Sequence, residues 1–326
     1  MGVALLDSTS LVPYLQSRGV IGAAADAAVE ELSGGVSNVV LGVSGNGFDF
    51  VLKQALPELK VATKWVADQR RAIVEARAIE LFHSLSPNQV PALVDSDPDQ
   101  FTLVMERADR SAKVWKSELL AGRINPEVGY ELGKTLCSWH EFGRSNKEVA
   151  DQFAEASLFE QLRISPFYRE VAIKDPDLQG PIDLLIDELT AVGTTIVHGD
   201  FSPKNFLVAG EKDIYILDFE VAHYGNPVFD LAFTLAHLLC KFFRTPKASE
   251  ATTLRATAAR FLVGYGETPA DSLFAHTALI ALARVEGKSR VDYLDQAAQS
   301  KLQVLTKRAL SSATMNPLEL FDLGAR

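Results

Sequence analysis

Residues 198–205 read HGDFSPKN, and the tripeptide DFE follows at 218–220, directly after an apolar run. The segment thus presents Asp200, Asn205 and Asp218 in the order acid, amide, acid. Phosphoryl transfer uses one carboxylate to orient the attacking hydroxyl, and an amide oxygen with a second carboxylate to hold Mg²⁺ on the nucleotide phosphates. The order therefore predicts Asp200 as the catalytic residue and Asn205 and Asp218 as Mg²⁺ ligands. The alternative is that these side chains only cap turns between strands.

Two neighbouring residues are candidates for supporting roles. In extended geometry Glu220 points to the same side as Asp218, which makes it a candidate for a further metal ligand. His198 is expected to support the loop through hydrogen bonds rather than to catalyse. Mg²⁺ is the expected ion because these ligands offer hard oxygen atoms.

The composition indicates a globular chain without a nucleic-acid-binding face. The chain has 326 residues, 47% of them hydrophobic and 23% charged, which suits two domains with a buried core. Its net charge is −10 and its pI about 5.2, whereas nucleic-acid binding favours a basic face. An acidic surface is compatible with a cationic small substrate, and it is also common among cytoplasmic proteins. We therefore expect no nucleic-acid partner.

The sequence predicts a cytoplasmic location. Cys137 and Cys240 both lie in apolar helical patterns, which favours buried free thiols over a disulfide. The N-terminal segment lacks a basic region and reaches Asp7 early, unlike a signal peptide. No stretch has the roughly 18 uncharged apolar residues of a membrane span, so no membrane partner is expected.

The first hundred residues alternate between helical and β patterns. Residues 8–32 have helical spacing with a break at Gly19. A glycine-rich turn, a strand pair around SGNG, a helix and a second strand pair follow. These elements are expected at 36–43 and 48–52, at 64–83, and at 91–94 and 101–105. The pattern predicts a small lobe with an antiparallel sheet.

From about residue 112 the chain is mainly helical. The predicted helices are 126–143, 148–163, 179–193, 227–243, 248–266, 271–286 and 289–310. Short β runs at 195–197, 206–208 and 214–217 surround the HGDFSPKN segment. With a hinge at 106–111, the sequence predicts an α+β fold with domains 1–107 and 108–326.

The HGDxxxxN pattern at 198–205 and the DFE at 218–220 resemble the aminoglycoside phosphotransferase and choline kinase family of small-molecule kinases. The resemblance implies a bilobal protein-kinase-like fold, with a nucleotide-binding lobe at 1–107 and a helical catalytic lobe at 108–326. Protein kinases have Arg in place of Gly199 and Gly in place of Glu220, so both positions favour the small-molecule branch.

The DFE form is similar to that of methylthioribose kinases. The similarity extends to Tyr224-Gly225 and Phe229-Asp230. Methylthioribose kinases usually depart from the pattern at the position of Asn205, which this chain keeps.

The resemblance implies further nucleotide-binding residues in the first lobe. Lys53, on the second strand after the glycine-rich turn, is placed to bind the α- and β-phosphates of ATP; by itself it reads as an ordinary edge residue. Glu75 resembles the helix glutamate that pairs with this lysine, and Glu80 competes for that role on the same helix. A solvated helix face is the plainer interpretation of both.

Two backbone segments complete the implied nucleotide site. Gly34, Gly35 and Ser37 belong to the phosphate-covering loop, which lacks the protein-kinase glycine spacing. Met105, Glu106 and Ala108 form the hinge whose backbone is implied to meet the adenine.

Several residues allow two interpretations. Asp230 is implied to support the catalytic loop, but it can equally cap the helix that it opens. The RVEGK segment at 284–288 can hold an anionic or polar substrate group, although a helix C-cap with basic residues is the favoured interpretation. Trp115 and Trp139 can stack on a substrate, but core packing is favoured.

The function predicted from these features is transfer of the ATP γ-phosphate to a hydroxyl of a small molecule. The acceptor classes that fit are aminoglycosides, sugars, amino sugars and amino alcohols, bound between Asp200 and the helices of the second lobe. The alternative is a catalytically inactive kinase-like module. Protein kinase activity is not favoured, because about ten residues between Asp218 and Pro227 are too few for an activation segment.

Overall fold

The computed structural model describes residues 4–32, 37–60, 66–210, 212–266, 271–312 and 315–325. The chain forms two compact units, Met1–Ser111 with Tyr215–Val221, and Ala112–Ile214 with Ala222–Arg326. The segment that carries Asp218 is thus part of the first unit, although more than a hundred residues separate the two in sequence. The assignment of nucleotide binding to 1–107 and catalysis to 108–326 stays a prediction.

The first unit is built on a five-stranded antiparallel sheet in the order β1-β2-β3-β5-β4. Its strands are β1 (Ala27–Glu31), β2 (Asn38–Gly45), β3 (Phe48–Ala55), β4 (Leu93–Asp97) and β5 (Thr102–Glu106). Gly47, in the turn between β2 and β3, has a φ of +85°, which glycine adopts without steric cost. This hairpin places Lys53 on β3, in the middle of the sheet.

The prediction of helical structure for residues 8–32 is wrong in its second half. Helix α1 covers only Leu11–Ser17, and the chain then forms β1. Val29 pairs with Val43 of β2, so hydrogen bonding along a sheet edge determines its conformation rather than its helical spacing. Leu11 and Leu15 remain on the buried side of α1 and pack against the sheet core.

Helix α2 (Arg71–Leu85) follows the first three strands. It begins later than the predicted 64–83. Its buried residues include Arg71, Glu75 and Phe82, and the Phe82 ring stacks on Phe219 with centroids 5.1 Å apart. This ring contact ties the segment Tyr215–Val221 to α2.

The second unit is mainly helical. Its helices are α3 (Trp115–Leu120), α4 (Pro126–Gly143), α5 (Lys147–Gln152), α6 (Ser157–Phe159), α7 (Glu170–Lys174), α8 (Gln179–Thr190), α9 (Val228–Arg244), α10 (Ala248–Tyr265), α11 (Leu273–Glu286), α12 (Gln296–Leu310) and α13 (Glu319–Gly324), with a π-helix at Glu160–Arg169 and a 3₁₀ turn at Pro176–Leu178. Its short strands are β6 (Lys113–Val114), β7 (Thr195–Val197), β8 (Phe206–Ala209) and β10 (His223–Gly225), and β9 (Asp213–Ile216) leads into the first unit. The α+β class predicted from the sequence is confirmed.

Two predicted helices of the second unit differ from the structure. The single helix expected at 148–163 is divided, and its last part continues as the π-helix, which contains Pro166. Proline has no N–H to donate and clashes with a regular helical turn. The helix expected from 289 begins only at Gln296, because the Asp295 side chain accepts the Ala298 N–H at 2.8 Å and caps it there.

The core of the second unit surrounds α9, which is buried along nearly its whole length. Trp115 and Trp139 are both fully buried, so they pack in the core and do not present a stacking surface. None of the described helices is both long enough and apolar enough to cross a bilayer.

Helix α4 packs closely on β7, the strand that leads into the HGDFSPKN segment. A Cβ on Gly143 would lie 2.5 Å from Thr195 Oγ1 and 2.6 Å from the Ile196 backbone N. We expect Gly143→Ala to lower the free energy of unfolding by about 1–3 kcal/mol, because the added methyl group must displace β7. Thermal or urea unfolding measures the change.

Gly180→Ala is the matched control for this variant. Gly180 lies on α8, and a Cβ there meets no atom within 4 Å, so alanine is expected to be neutral or slightly stabilising. Equal stability of the two alanine variants would show that the close approach of α4 to β7 has no energetic weight.

Candidate active site

The HGDFSPKN segment forms a loop between β7 and β8, in the second unit. Gly199 has a φ of +75°, a conformation that suits glycine and turns the chain at this point. Asp230 of α9 accepts the His198 N–H at 2.7 Å and the Gly199 N–H at 2.8 Å. One buried carboxylate therefore fixes the backbone immediately before Asp200.

The structure distinguishes between the two interpretations of Asp230. The side chain that accepts a backbone N–H at the start of α9 is Asn226, which receives the Val228 N–H at 3.0 Å. Asp230 instead bonds the loop and also accepts a hydrogen bond from His140 Nε2 at 3.3 Å. Burial by itself would raise the pKa of Asp230, but the hydrogen bond and charge of His140 and the His198 N–H hold it below its usual value.

We expect Asp230→Asn to destabilise the protein by about 1–3 kcal/mol and to lower kcat. The amide keeps one acceptor oxygen, but its NH₂ group faces a buried backbone N–H that loses its partner. Urea unfolding and an ADP-release assay measure the two effects. The control is Asp187→Asn, on an exposed position of α8; a similar response of both variants would contradict a loop-supporting role for Asp230.

Asp200 lies within this loop and is 1% exposed. Its Oδ2 atom is 3.0 Å from Arg163 Nη2 and 2.7 Å from Lys204 Nζ. Both contacts are made by the same oxygen atom. Arg163 is nearly buried, whereas the side chain of Lys204 is 48% exposed.

Arg163 is a site residue that the sequence analysis missed. It lies on the π-helix, and its Nε donates to the Gly199 carbonyl at 2.7 Å, so it holds both the loop backbone and the Asp200 carboxylate. Neither a motif nor a periodicity marks Arg163 in the sequence.

Asn205 ends the loop and is buried. Its Nδ2 donates to the Asp200 carbonyl at 2.9 Å. This bond fixes the side-chain amide so that Oδ1 is the atom left to ligate a metal, which is the role predicted for Asn205.

The first unit contains the other half of the predicted site. Lys53 Nζ lies 2.6 Å from Glu75 Oε1 and 2.7 Å from Asp218 Oδ1. Glu80, the competing residue on α2, is exposed. The structure thus brings Lys53, Glu75 and Asp218 together from β3, α2 and the segment after β9.

Burial and charge act in opposite directions on this ion-pair group. Burial would lower the pKa of Lys53, but the charges of Asp218 and Glu75 outweigh it, and its pKa is raised. Burial raises the pKa of Glu75 to about 7, with Lys53 opposing the rise. The lysine therefore stays charged and is suited to bind phosphate oxygens.

Glu220 is also buried, and it is bound by side chains of the same unit. Its Oε2 lies 3.2 Å from Arg71 Nε and accepts a hydrogen bond from Asn38 Nδ2 at 3.4 Å. Arg71 in turn donates to the backbone carbonyls of Ser37 and Leu56. Like Arg163, Arg71 was not identified from the sequence.

The acidic residues of the first unit fit a divalent cation. Oxygen atoms of Glu75, Asp218 and Glu220 lie within 4.8 Å of one another, and carboxylate oxygens are the ligands that Mg²⁺ prefers. Asp218 has a φ of +72°, an uncommon conformation for a residue with a side chain, of a kind that concentrates at functional sites.

The remaining predicted nucleotide residues are placed as follows. Gly34 and Gly35 lie outside the described residues. Ser37 is buried, and its Oγ accepts a hydrogen bond from Asn38 Nδ2. Met105 and Glu106 end β5, where the Glu106 N–H donates to the Ala92 carbonyl, whereas Ala108 makes no backbone hydrogen bond within the described part of the chain.

The chain is similar to known proteins over most of its length. The sequence model of a family described as the phosphotransferase enzyme family matches residues 28–274. A methylthioribose kinase of Bacillus cereus is 25% identical over 269 residues, covering 73% of this chain and 67% of that protein. These matches span both units.

Solved structures show the same fold. The amicoumacin kinase hAmiN, in complex with AMP-PNP, Ca²⁺ and Ami, has a TM-score of 0.56 at 16% identity and covers 90% of this chain and 91% of its own. The choline kinase LicA of Streptococcus pneumoniae has a TM-score of 0.52 at 14% identity and covers 93% and 98%. The predicted protein-kinase-like fold is therefore confirmed.

The chain belongs to the phosphotransferase enzyme family, because the family match covers well over half of its length. It is a small-molecule kinase. The family resemblance drawn from the HGDxxxxN and DFE motifs is thereby confirmed.

Proposed function

We propose that this enzyme transfers the γ-phosphate of ATP, bound with Mg²⁺, to a hydroxyl group of a small metabolite or antibiotic. The observation that carries the proposal is the contact of Lys53 with Asp218, two residues 165 positions apart, with Glu75 on the same ammonium group. Such a lysine, paired with a helix glutamate and the acidic residue of the DFE motif, is what binding of a nucleotide triphosphate requires.

The residues of the first unit are proposed to bind the nucleotide. Lys53 contacts the phosphates, and Glu75 orients Lys53. Asp218 and Glu220 would hold the metal, and the sequence pattern is what supports Asn205 as a further ligand. Mg²⁺, when bound, supplies positive charge that neutralises the phosphate oxygens.

Asp200 is proposed to act on the acceptor. The acceptor oxygen attacks the γ-phosphorus while the bond from that phosphorus to the bridging oxygen of ADP breaks. The hydroxyl proton passes to the Asp200 carboxylate, and ADP leaves with the bridging oxygen. Asp230, Arg163 and the loop backbone hold Asp200 in place for this step.

The alternative of an inactive kinase-like module is less favoured, because each residue that the reaction requires is present and Lys53, Glu75 and Asp218 are in contact. We further propose a cytosolic location. Cys137 and Cys240 are free thiols, which suits a reducing compartment.

An ADP-release screen tests the proposed function. Purified protein is incubated with Mg²⁺·ATP and a panel of sugars, amino sugars, amino alcohols, aminoglycosides and hydroxy acids. At least one compound is expected to release ADP above the acceptor-free rate. Stabilisation by Mg²⁺·ATP in a thermal-shift assay, with no ADP release from any compound, would instead favour the inactive module.

A further inference from the structure

Two cations of the second unit, Lys241 and Arg284, have no carboxylate partner in the described part of the chain. Lys241 on α9 is 2% exposed, and Arg284 lies in the last turn of α11. Lys241 Nζ donates to the His237 carbonyl at 3.2 Å, and Arg284 Nη1 donates to Ser289 Oγ at 2.8 Å. Among the described residues, neither side chain forms an ion pair within 4 Å.

Two lysines lie near the ring of one tyrosine. Lys241 Nζ lies 5.3 Å and Lys116 Nζ 5.6 Å from the centre of the Tyr293 ring. The Tyr293 hydroxyl, Arg284 Nε and His237 Nε2 are buried polar atoms for which no described residue provides a hydrogen-bond partner. The Tyr293 hydroxyl and Arg284 Nε are donors, whereas His237 Nε2 donates in only one tautomer of the ring, so at least two buried donors have no acceptor among the described residues.

This arrangement is costly unless an anion completes it. A buried charge without a partner is strongly unfavourable. Burial, with the positive charges of Lys116 and Arg284, lowers the pKa of Lys241 to about 7. The neighbouring Lys116 is 3.9 Å from Asp292, whose side chain is 87% exposed, and such a surface pair contributes little.

Ring contacts connect Arg284 with the loop that carries Asp200. Arg284 Cζ lies 5.5 Å from the centre of the Phe167 ring, and the Phe167 and Phe233 rings are 5.6 Å apart. Arg163, which contacts Asp200, lies 5.6 Å from the centre of the Phe233 ring. The unpartnered donors thus belong to the surroundings of the residue that is proposed to meet the acceptor hydroxyl.

We propose that the acceptor carries a negatively charged group, a carboxylate or a phosphate, which Lys241, Arg284 and the Tyr293 hydroxyl bind while Asp200 orients the acceptor hydroxyl. The proposal rests on the proposed kinase function and narrows its substrate class to hydroxy acids and phosphate-bearing alcohols. The net charge of the whole chain is −10 and is compatible with a cationic substrate. The local charge around Lys241 and Arg284, however, is positive. The helix C-cap expected for the RVEGK segment is present, because the Gly287 N–H donates to the Ala283 carbonyl at the end of α11, and the proposal adds anion binding by Arg284 to it.

A binding experiment tests the site without reference to catalysis. Thermal unfolding of the full chain is followed with inorganic phosphate or glycolate at constant ionic strength, in the absence and in the presence of saturating ADP. We expect at least one anion to raise Tm under both conditions, because Lys241, Arg284 and Tyr293 are not among the residues proposed to bind the nucleotide. Phosphate and glycolate then distinguish a phosphate-bearing acceptor from a hydroxy acid.

Variants locate the bound anion. The rise in Tm is expected to disappear in Lys241→Met and in Arg284→Gln and to persist in Arg290→Gln, a neighbouring exposed arginine. Lys241→Met replaces a buried charge by an apolar side chain, so it is expected to fold. The proposal is overturned if neither anion stabilises the wild type, if ADP abolishes the effect, or if both site variants retain it.

Kinetics separates this proposal from the proposed function. In the ADP-release screen, anionic acceptors are expected to be used and their uncharged amides to be used poorly. Arg284→Gln is expected to raise KM for the acceptor about 10- to 100-fold, the loss for a charged hydrogen bond, and to leave KM for ATP unchanged. If the enzyme prefers a cationic or neutral acceptor, the anion site is overturned and the kinase function stands. If no compound causes ADP release, the kinase function itself is overturned.

Discussion

Replacing Asp200 by asparagine is expected to lower kcat by on the order of 10²-fold or more, with little change in ATP affinity. Asparagine keeps the size of the side chain but cannot take the hydroxyl proton, and it removes the negative charge next to Arg163 and Lys204. The nucleotide contacts proposed for Lys53 and Glu75 belong to the first unit and do not involve Asp200. The measurements are kcat from ADP release with the best acceptor and the ATP dissociation constant from calorimetry.

The matched control is Asp213→Asn, an exposed aspartate on β9. It removes the same charge from the chain without touching the catalytic loop, so kcat should stay at the wild-type value. Turnover of Asp200→Asn equal to that of the control would refute the role of Asp200. A loss of ATP affinity as large as the loss of kcat would instead indicate that the loop as a whole has moved.

Lys53→Met is expected to have the second large effect, on both nucleotide binding and stability. The variant removes the ammonium group that lies between Glu75 and Asp218, and these carboxylates then face one another without a counter-charge. Breaking a buried ion pair by removing one partner costs about 3–5 kcal/mol. We therefore expect a lower free energy of unfolding by urea and no measurable stabilisation by Mg²⁺·ATP.

Lys60→Met, at an exposed position of the same unit, controls for loss of a lysine. A double variant separates the two effects of Lys53→Met. Adding Glu75→Gln removes one of the unpaired carboxylates, so stability should partly return while ATP binding stays lost. A Lys53→Met protein that still binds Mg²⁺·ATP with wild-type affinity would contradict the nucleotide role of this lysine.

Local patterns in the sequence were sufficient for much of the fold. The SGNG turn between two apolar runs predicted the β2–β3 hairpin, and the regular spacing of apolar residues predicted α4, α9, α10 and α11 near their observed bounds. These elements are determined by turn chemistry and amphipathic periodicity, which are properties of neighbouring residues. The prediction failed at Val29, where pairing with another strand decides the conformation, and at Pro166, where a helix widens into a π-helix.

The sequence alone also determined which chemistry the chain carries. The order of Asp200, Asn205 and Asp218 is a linear pattern, and it identified the family because the same short loop must supply a carboxylate and an amide at fixed spacing. Lys53 and Glu75 followed from their places on a strand and a helix. The functional role of each of these residues stays a prediction.

Only the tertiary structure decided which charges have partners. Arg163 and Arg71 contact the candidate site residues across 37 and 149 positions, and no local pattern marks such a pair. Whether Lys241 and Arg284 have a counter-charge likewise depends on what surrounds them after folding, because the energy of a charge is set by its burial and by its nearest neighbours in space. The sequence thus determined the reaction, and the packing of distant segments determined the electrostatic surroundings from which the class of acceptor is inferred.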